Sequence, residues 1–278
     1  MGNSTILTAI WMEETLHEPM YFFLSMLAIS DLGLCATTLP TILKLFWFND
    51  HEIDFDVCLV QMYFIHIFSM MESGILLSMA FDRYIAISNP LRYTAILNST
   101  STVKISMGFV SRAIIVLIPA PVLIKQLKFC EANVLSHSYC LHPDIIRLSC
   151  SDHHINNFLG LTVIIITFGV DSVLILLSYV KILTTVLGIA SQKERVKALN
   201  TCVSHICAVL LVYIPLLGVS IIHRFVKHAP PMVQVIMGYV YLLVPPVLNP
   251  VVYCIQTHEI HMKNSHEFDC KIFKARRN

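Results

Sequence analysis

Long apolar runs with charge gathered at their ends are the dominant pattern along this chain. Six of them, residues 20–48, 58–87, 103–124, 158–182, 198–222 and 232–254, hold the stretch of about 20 mostly apolar residues that a helix needs to cross a bilayer. None alternates apolar and polar with period two, so the runs predict helices rather than barrel strands. Helices also satisfy their own backbone in lipid. Residues 1–12 are apolar but too short to span, and they lack the basic leader and small-residue cleavage site of a signal peptide. They read as the cytoplasmic half of a first helix truncated at its N-terminus. The expected fold is an all-α membrane protein, a seven-transmembrane helix bundle in one domain over 1–278.

Composition agrees. The chain is 56% apolar and 13% charged, with a mean hydropathy of +0.70. A soluble domain carries about 25% charge. The net charge of +1 gives no reason to expect a nucleic-acid partner; the expected surroundings are membrane lipid. The basic residues are distributed unevenly. Arg83, Arg92 and Lys104 follow one run. Lys181, Lys193, Arg195 and Lys197 follow another. The tail, 255–278, adds Lys263, Lys271, Lys274, Arg276 and Arg277. Against these twelve, the opposite side has six: Lys44, Lys125, Lys128, Arg147, Arg224 and Lys227, near Asp50, Glu52, Asp54 and Asp56. Arg112 is left inside a span. This bias predicts a cytoplasmic C-terminus, with Met1 also on the cytoplasmic side.

The connection 125–157 is the longest, and loops beyond about 15 residues are usually functional or disordered. It faces outside in this topology and holds Cys130, Cys140 and Cys150; Cys58 opens a span on the same face. Disulfides persist there, and the residues leave all three pairings open. Cys35, Cys202, Cys207, Cys254 and Cys270 lie in spans or on the cytoplasmic side and read as unpaired thiols.

The run SGILLSMA ends in FDRYIAISNP, residues 81–90, an acid and a base set side by side where the apolar segment stops. That string belongs to a set: GN at Gly2-Asn3, LHEPMYFFLSMLAISDL at 16–32, MAFDRYIAI at 79–87, SY at Ser178-Tyr179, KALNTCVSH at 197–205 and PPVLNPVVY at 245–253. Six strings in this order, at the ends of the right helices, resemble a rhodopsin-like G-protein-coupled receptor, and within that family an olfactory receptor. HSYCLHPD at 137–144 is similar to the class I, fish-like branch, whose ligands lean toward small carboxylic acids.

The resemblance implies an odorant receptor in the plasma membrane that activates a heterotrimeric G protein of the olfactory Gs type, raising cyclic AMP. It assigns G-protein coupling and activation to Asp82, Arg83, Tyr84, Tyr179, Tyr213, Pro215, Asn249, Pro250 and Tyr253. Asp82 restrains Arg83 until activation, a small charge rearrangement that biases two packings of the bundle. Pro215 lacks a backbone donor and is expected to kink its helix as a hinge. Tyr253 is expected to meet Tyr179 and Arg83 on activation. Asp31, Glu72 and Asn249 form the family's central polar cluster, where two carboxylates hold either a shared proton or a cation, the candidate being a sodium ion; no other cofactor is implied. The resemblance pairs Cys58 with Cys140, and the second pair is read as Cys130 with Cys150. The small-molecule odorant is expected in an apolar pocket, with Arg224 as a bidentate anchor for an acid and His66, His142 and Ser220 as hydrogen-bond partners. Pro143 stands where a relative can offer a polar side chain.

Some features argue for nothing more. Arg112 and Asp171 are intramembrane charges without an assignable role. His153-His154 with Asp152 lacks metal-ligand spacing. Asn98-Ser99-Thr100 is a glycosylation sequon on the cytoplasmic side, and Asn3-Ser4-Thr5 falls in the first-helix stub. Enzymes are disfavoured by the lack of a nucleophile–base set, a transporter by the lack of internal repeats, and a channel by the lack of a filter loop. The rival reading is a truncated, receptor-like chain that does not signal.

Overall fold

The computed structural model describes residues 2–13, 18–130, 134–225 and 230–261. Its helices are α1 (Gly2–Met12), α2 (Pro19–Phe48), α3 (Phe55–Ser88), the single turn α4 (Tyr93–Ile96), α5 (Ser99–Leu117), α6 (Pro119–Lys125), α7 (His142–Arg147), α8 (His154–Ile164), α9 (Val170–Leu187), α10 (Gln192–Phe225) and α11 (Pro231–His261). A 3-10 turn, Pro90–Arg92, precedes α4, and a π-helical segment, Ile165–Gly169, joins α8 to α9. Among the described residues there are six helical stretches long and apolar enough to cross a membrane: α2, α3, Ser99–Lys125, His154–Leu187 and the apolar parts of α10 and α11.

The helices overrun the apolar runs because polar caps carry the backbone past them. Pro19 occupies the first turn of α2, and Asn49 ends that helix in the left-handed region, at φ 52°, where asparagine is tolerated. Asp54 caps α3 by accepting from the Asp56 and Val57 amides, and Asn98 caps α5 by accepting from the Ser101 amide. The Asn98 sequon is thus a helix cap. Pro215 lies within α10 without interrupting it, and Pro245, Pro246 and Pro250 lie within α11.

The bundle is organised around α3. About 67% of its spanning window is buried, against 22% for Ser99–Lys125 and for His154–Leu187. The large apolar side chains of those two spans, Ile115, Phe158, Ile166 and Leu176 among them, point outward, as lipid-facing surfaces should. Helix α1 packs on α2 and α11. Its Asn3 is buried and donates to the Pro246 carbonyl at 3.0 Å. A Cβ on Gly2 would lie 2.8 Å from Pro250 Cβ, so only glycine allows this approach. The Gly2-Asn3 pair therefore docks a helix and its asparagine is not available to a glycan.

The 125–157 connection is not all loop, since it contains α7. Cys58 is joined to Cys140 and Cys130 to Cys150. The first bridge sits in an apolar cluster with Leu59, Met62, Ile124 and Ile145. Gln61 fastens the same place: its amide donates to the Thr37 carbonyl (2.9 Å) and to Thr41 Oγ1 (2.8 Å), and its carbonyl accepts from the Cys140 amide (2.9 Å). The bridge spans 82 residues, a closure worth about 4 kcal/mol against the unfolded chain. Cys140→Ser is expected to lower the melting temperature of the purified protein sharply; unchanged melting would show the bridge to be dispensable.

Leu16, Lys227 and the residues from 262 on, with Cys270 and the basic residues of the tail, lie outside the described residues.

Candidate functional site

Beneath the disulfide-bonded connection, α3, α5, α6, α8, α10 and α11 enclose a cavity of about 80 Å³. Its floor is apolar, with Met70, Leu117, Phe168, Leu216 and Val219. Five side chains with polar groups line it: His66 from α3, His142 from the start of α7, Ser220 and Arg224 one turn apart on α10, and Tyr241 from α11. The His66 and His142 rings meet edge to face with centroids 6.4 Å apart. A Cβ on Gly160 would lie 2.9 Å from Arg224 Nη2 and 3.1 Å from His142 Cε1, so this glycine makes room for both.

The electrostatics are unusual for a protein interior. Among the described residues no carboxylate lies within ion-pair distance of Arg224, and buried Arg224 Nε, His66 Nε2 and His142 Nε2 have no protein partner. Buried polar groups are normally paired. Burial pushes the His142 imidazole down to about 3, with His66 and the Arg224 charge adding to the effect. It is therefore neutral near pH 7, and Arg224 supplies the positive charge.

The connection is seated by a second polar cluster. His137 Nδ1 pairs with the Asp144 carboxylate, while its Nε2 faces the Gln234 carbonyl at 3.1 Å. Both ring nitrogens face acceptors, so the arrangement suits the imidazolium. Burial opposes that charge, but the hydrogen bond and charge of Asp144 win and raise the imidazole pKa.

Below the cavity, Phe168 leads to a chain of buried polar groups. Its ring meets Tyr213 edge to face at 6.2 Å. The Tyr213 and Ser73 hydroxyls share a hydrogen bond of 2.7 Å, and Ser73 donates to Asp171 Oδ2 at 2.7 Å. Arg112 grips the same carboxylate with both Nη groups, at 2.9 and 2.7 Å. A second link runs from Tyr241, in the cavity wall, to Ser69 at 2.5 Å. Deeper, Asn249 donates to both oxygens of Asp31 at 3.3 Å, and Glu72 and Asn3 lie within reach of the same carboxyl.

At the opposite end of the bundle Arg83 folds back on Asp82, with Nε at 2.9 Å and Nη2 at 2.6 Å; Tyr93 donates to the other oxygen at 2.7 Å. Tyr84 is half-buried beside Phe81. Tyr179 is bonded to His205 Nδ1 at 2.5 Å, and Tyr253 points at Met79 Sδ, 3.8 Å away.

The sequence profile of the olfactory receptor family matches residues 1–270. The chain belongs to the olfactory receptor family. Olfactory receptor 51I2 of Homo sapiens is 56% identical over 259 residues, covering 93% of this chain and 83% of the relative. Olfactory receptor 51I1 is 54% identical over 260 residues (94% and 83%), and olfactory receptor 51L1 is 51% identical over 268 (96% and 85%), both also of Homo sapiens. The receptor falls in the class I, fish-like branch with these group-51 relatives. They are receptors, not enzymes, and the receptor is a multi-pass membrane protein.

The structure brings His66, His142, Ser220 and Arg224 to one cavity, Asp31, Glu72 and Asn249 to one cluster, and Asp82 and Arg83 into one pair. It places Pro143 in the cavity wall. Sequence reasoning missed the pairing of Arg112 with Asp171. Both are charges inside spans, and opposite charges at membrane depth are the available signal, but two residues 59 apart on different helices give no rotation with which to match them. Ser73, His205 and Asn3 in these networks were missed as well. Only the last two lay in recognised strings.

Proposed function

We propose that the receptor binds a short carboxylic acid in the cavity beneath the 125–157 connection and converts it into activation of an olfactory Gs-type G protein. The observation that carries this reading is Arg224, a guanidinium at the wall of a small apolar cavity with no carboxylate partner among the described residues. A planar acid completes its fork of donors. His66, His142 and Ser220 close around the same site as hydrogen-bonding groups. The cavity's volume suits about half a dozen water-sized groups, hence a short acid. Pro143 presents no donor there, which leaves that side of the ligand apolar.

In this reading the disulfide-bonded end faces outside, and the Asp82 end and the C-terminus face the cytoplasm at the plasma membrane. Acid binding moves Phe168 and Tyr241, and with them Tyr213, two residues before Pro215. Rotation of α10 about that hinge frees Arg83 from Asp82 to face the G protein. The oxygens of Asp31, Glu72 and Asn249 fit a hard cation, and they would hold a sodium ion or share a proton in the resting packing. The test is a cyclic-AMP assay with matched short acids, primary amides and alcohols. Acids should activate and their amides should be at least tenfold weaker; equal potency of acid and amide would overturn the assignment.

A further inference from the structure

A second concavity lies at the other end of the bundle, on its outer surface. Helices α5 and α9 both pack on α3 but scarcely on each other, and between them runs a groove of about 460 Å³. Leu77 and Phe81 of α3, Ile105 and Phe109 of α5, and Leu174 and Leu177 of α9 line it. Its two serines offer a ligand no free donor: Ser78 donates to the Gly74 carbonyl and Ser178 to that of Leu174. Phe109 in its wall lies with its ring under the Arg112 guanidinium at 5.0 Å, where Arg112 binds Asp171. At its other mouth stands Lys181, exposed. Among the described residues no carboxylate lies within ion-pair distance of this lysine. From Lys181 to Leu174 is two helical turns, about 10 Å.

An apolar channel on the lipid-facing side, with a lysine at its mouth that has no carboxylate partner among the described residues, matches one kind of molecule. We propose that the groove is a binding site for an anionic phospholipid, one acyl chain lying along α3, α5 and α9 and its headgroup, whose phosphate is not neutralised by a choline as in a zwitterionic lipid, resting on Lys181. Lysine meets phosphate as a mobile point charge, and basic pockets between spans on the cytoplasmic side select anionic lipid headgroups. Lys181 stands at the lysine- and arginine-rich end of the bundle. A second copy of this chain is the poorer fit, because it would have to bring a carboxylate to Lys181 as well as an apolar ridge. A lipid seated here braces α5 against α9 and packs on Phe81 and Tyr84, the neighbours of Arg83.

The test uses the full chain, purified and placed in phosphatidylcholine nanodiscs containing phosphatidylserine with a photoreactive group midway along one acyl chain. Labelled peptides are mapped by mass spectrometry, with equally tagged phosphatidylcholine in parallel. Phosphatidylserine should label the segments containing Phe81, Ile105 and Leu177 in preference to phosphatidylcholine. Lys181→Glu should reduce that labelling roughly fivefold, and Lys181→Arg should preserve it. Leu177 is 55% exposed, so Leu177→Trp should fill the groove and abolish labelling without changing the melting temperature. If Lys181→Glu lowers the melting temperature, Leu177→Trp decides alone. Equal labelling by both lipids, labelling that survives Leu177→Trp, or a receptor–receptor crosslink through this face would each overturn the proposal. Because the nanodisc leaflets are identical, the result is independent of the acid-response assay and of membrane orientation.

Discussion

Arg224→Ala is expected to shift the cyclic-AMP dose-response to short carboxylic acids by about two orders of magnitude, while delivery to the membrane is unchanged. A charge-assisted hydrogen-bonded pair, once desolvated, costs about 3 kcal/mol when one partner is truncated. In the ligand-free protein Arg224 has no carboxylate partner among the described residues, so its removal orphans none of them. The effect should therefore appear in ligand affinity and not in folding. Arg224→Lys should recover part of the response, because the charge returns without the bidentate fork. A full acid response from Arg224→Ala would remove the central argument for an acid ligand.

The second large effect concerns the network below the cavity. Asp171→Ala leaves the Arg112 guanidinium without its counter-charge at membrane depth, where breaking a buried pair costs about 3–5 kcal/mol. The purified variant should melt well below the parent. Replacing both members, Arg112→Leu with Asp171→Leu, should restore much of the melting temperature, since a buried ion pair exchanges for apolar packing at little net cost. The same double variant should still signal poorly: without Asp171 the Ser73 hydroxyl loses the acceptor that orients it, and Tyr213, bonded to Ser73 beside Pro215, is no longer held by a fixed partner. Recovery of stability with persistent loss of response would separate positioning from packing. An Asp171→Ala protein that melts like the parent would show that the pair is neither buried nor important.

How much of this was legible beforehand follows from the range of each interaction. The helices were legible because a bilayer leaves an apolar run of about 20 residues few alternatives; capping by Asp54 and Asn98 then moved their ends by a few residues. The Asp82–Arg83 pair was legible because the two residues are adjacent, and Ser220 with Arg224 because four positions on a helix share a face. Asp31 with Asn249, and the disulfide pairs, came from the family resemblance, since nothing local connects residues that far apart. The Arg112–Asp171 pair and the groove at Lys181 were not legible at all. Both depend on how α5 and α9 are rotated against α3, and apolar outward faces hide that rotation because lipid accepts them at any angle.

The sequence by itself determined that this protein is a bundle of membrane-crossing helices of the olfactory receptor type, because hydrophobic length and adjacent charges act within one helix. Only the tertiary structure decided which charges meet a carboxylate and which, among the described residues, do not. Arg112 found a carboxylate, Arg224 faced a cavity, and Lys181 faced a groove, because the pairing of charges is fixed by close packing across helices and not by their order along the chain.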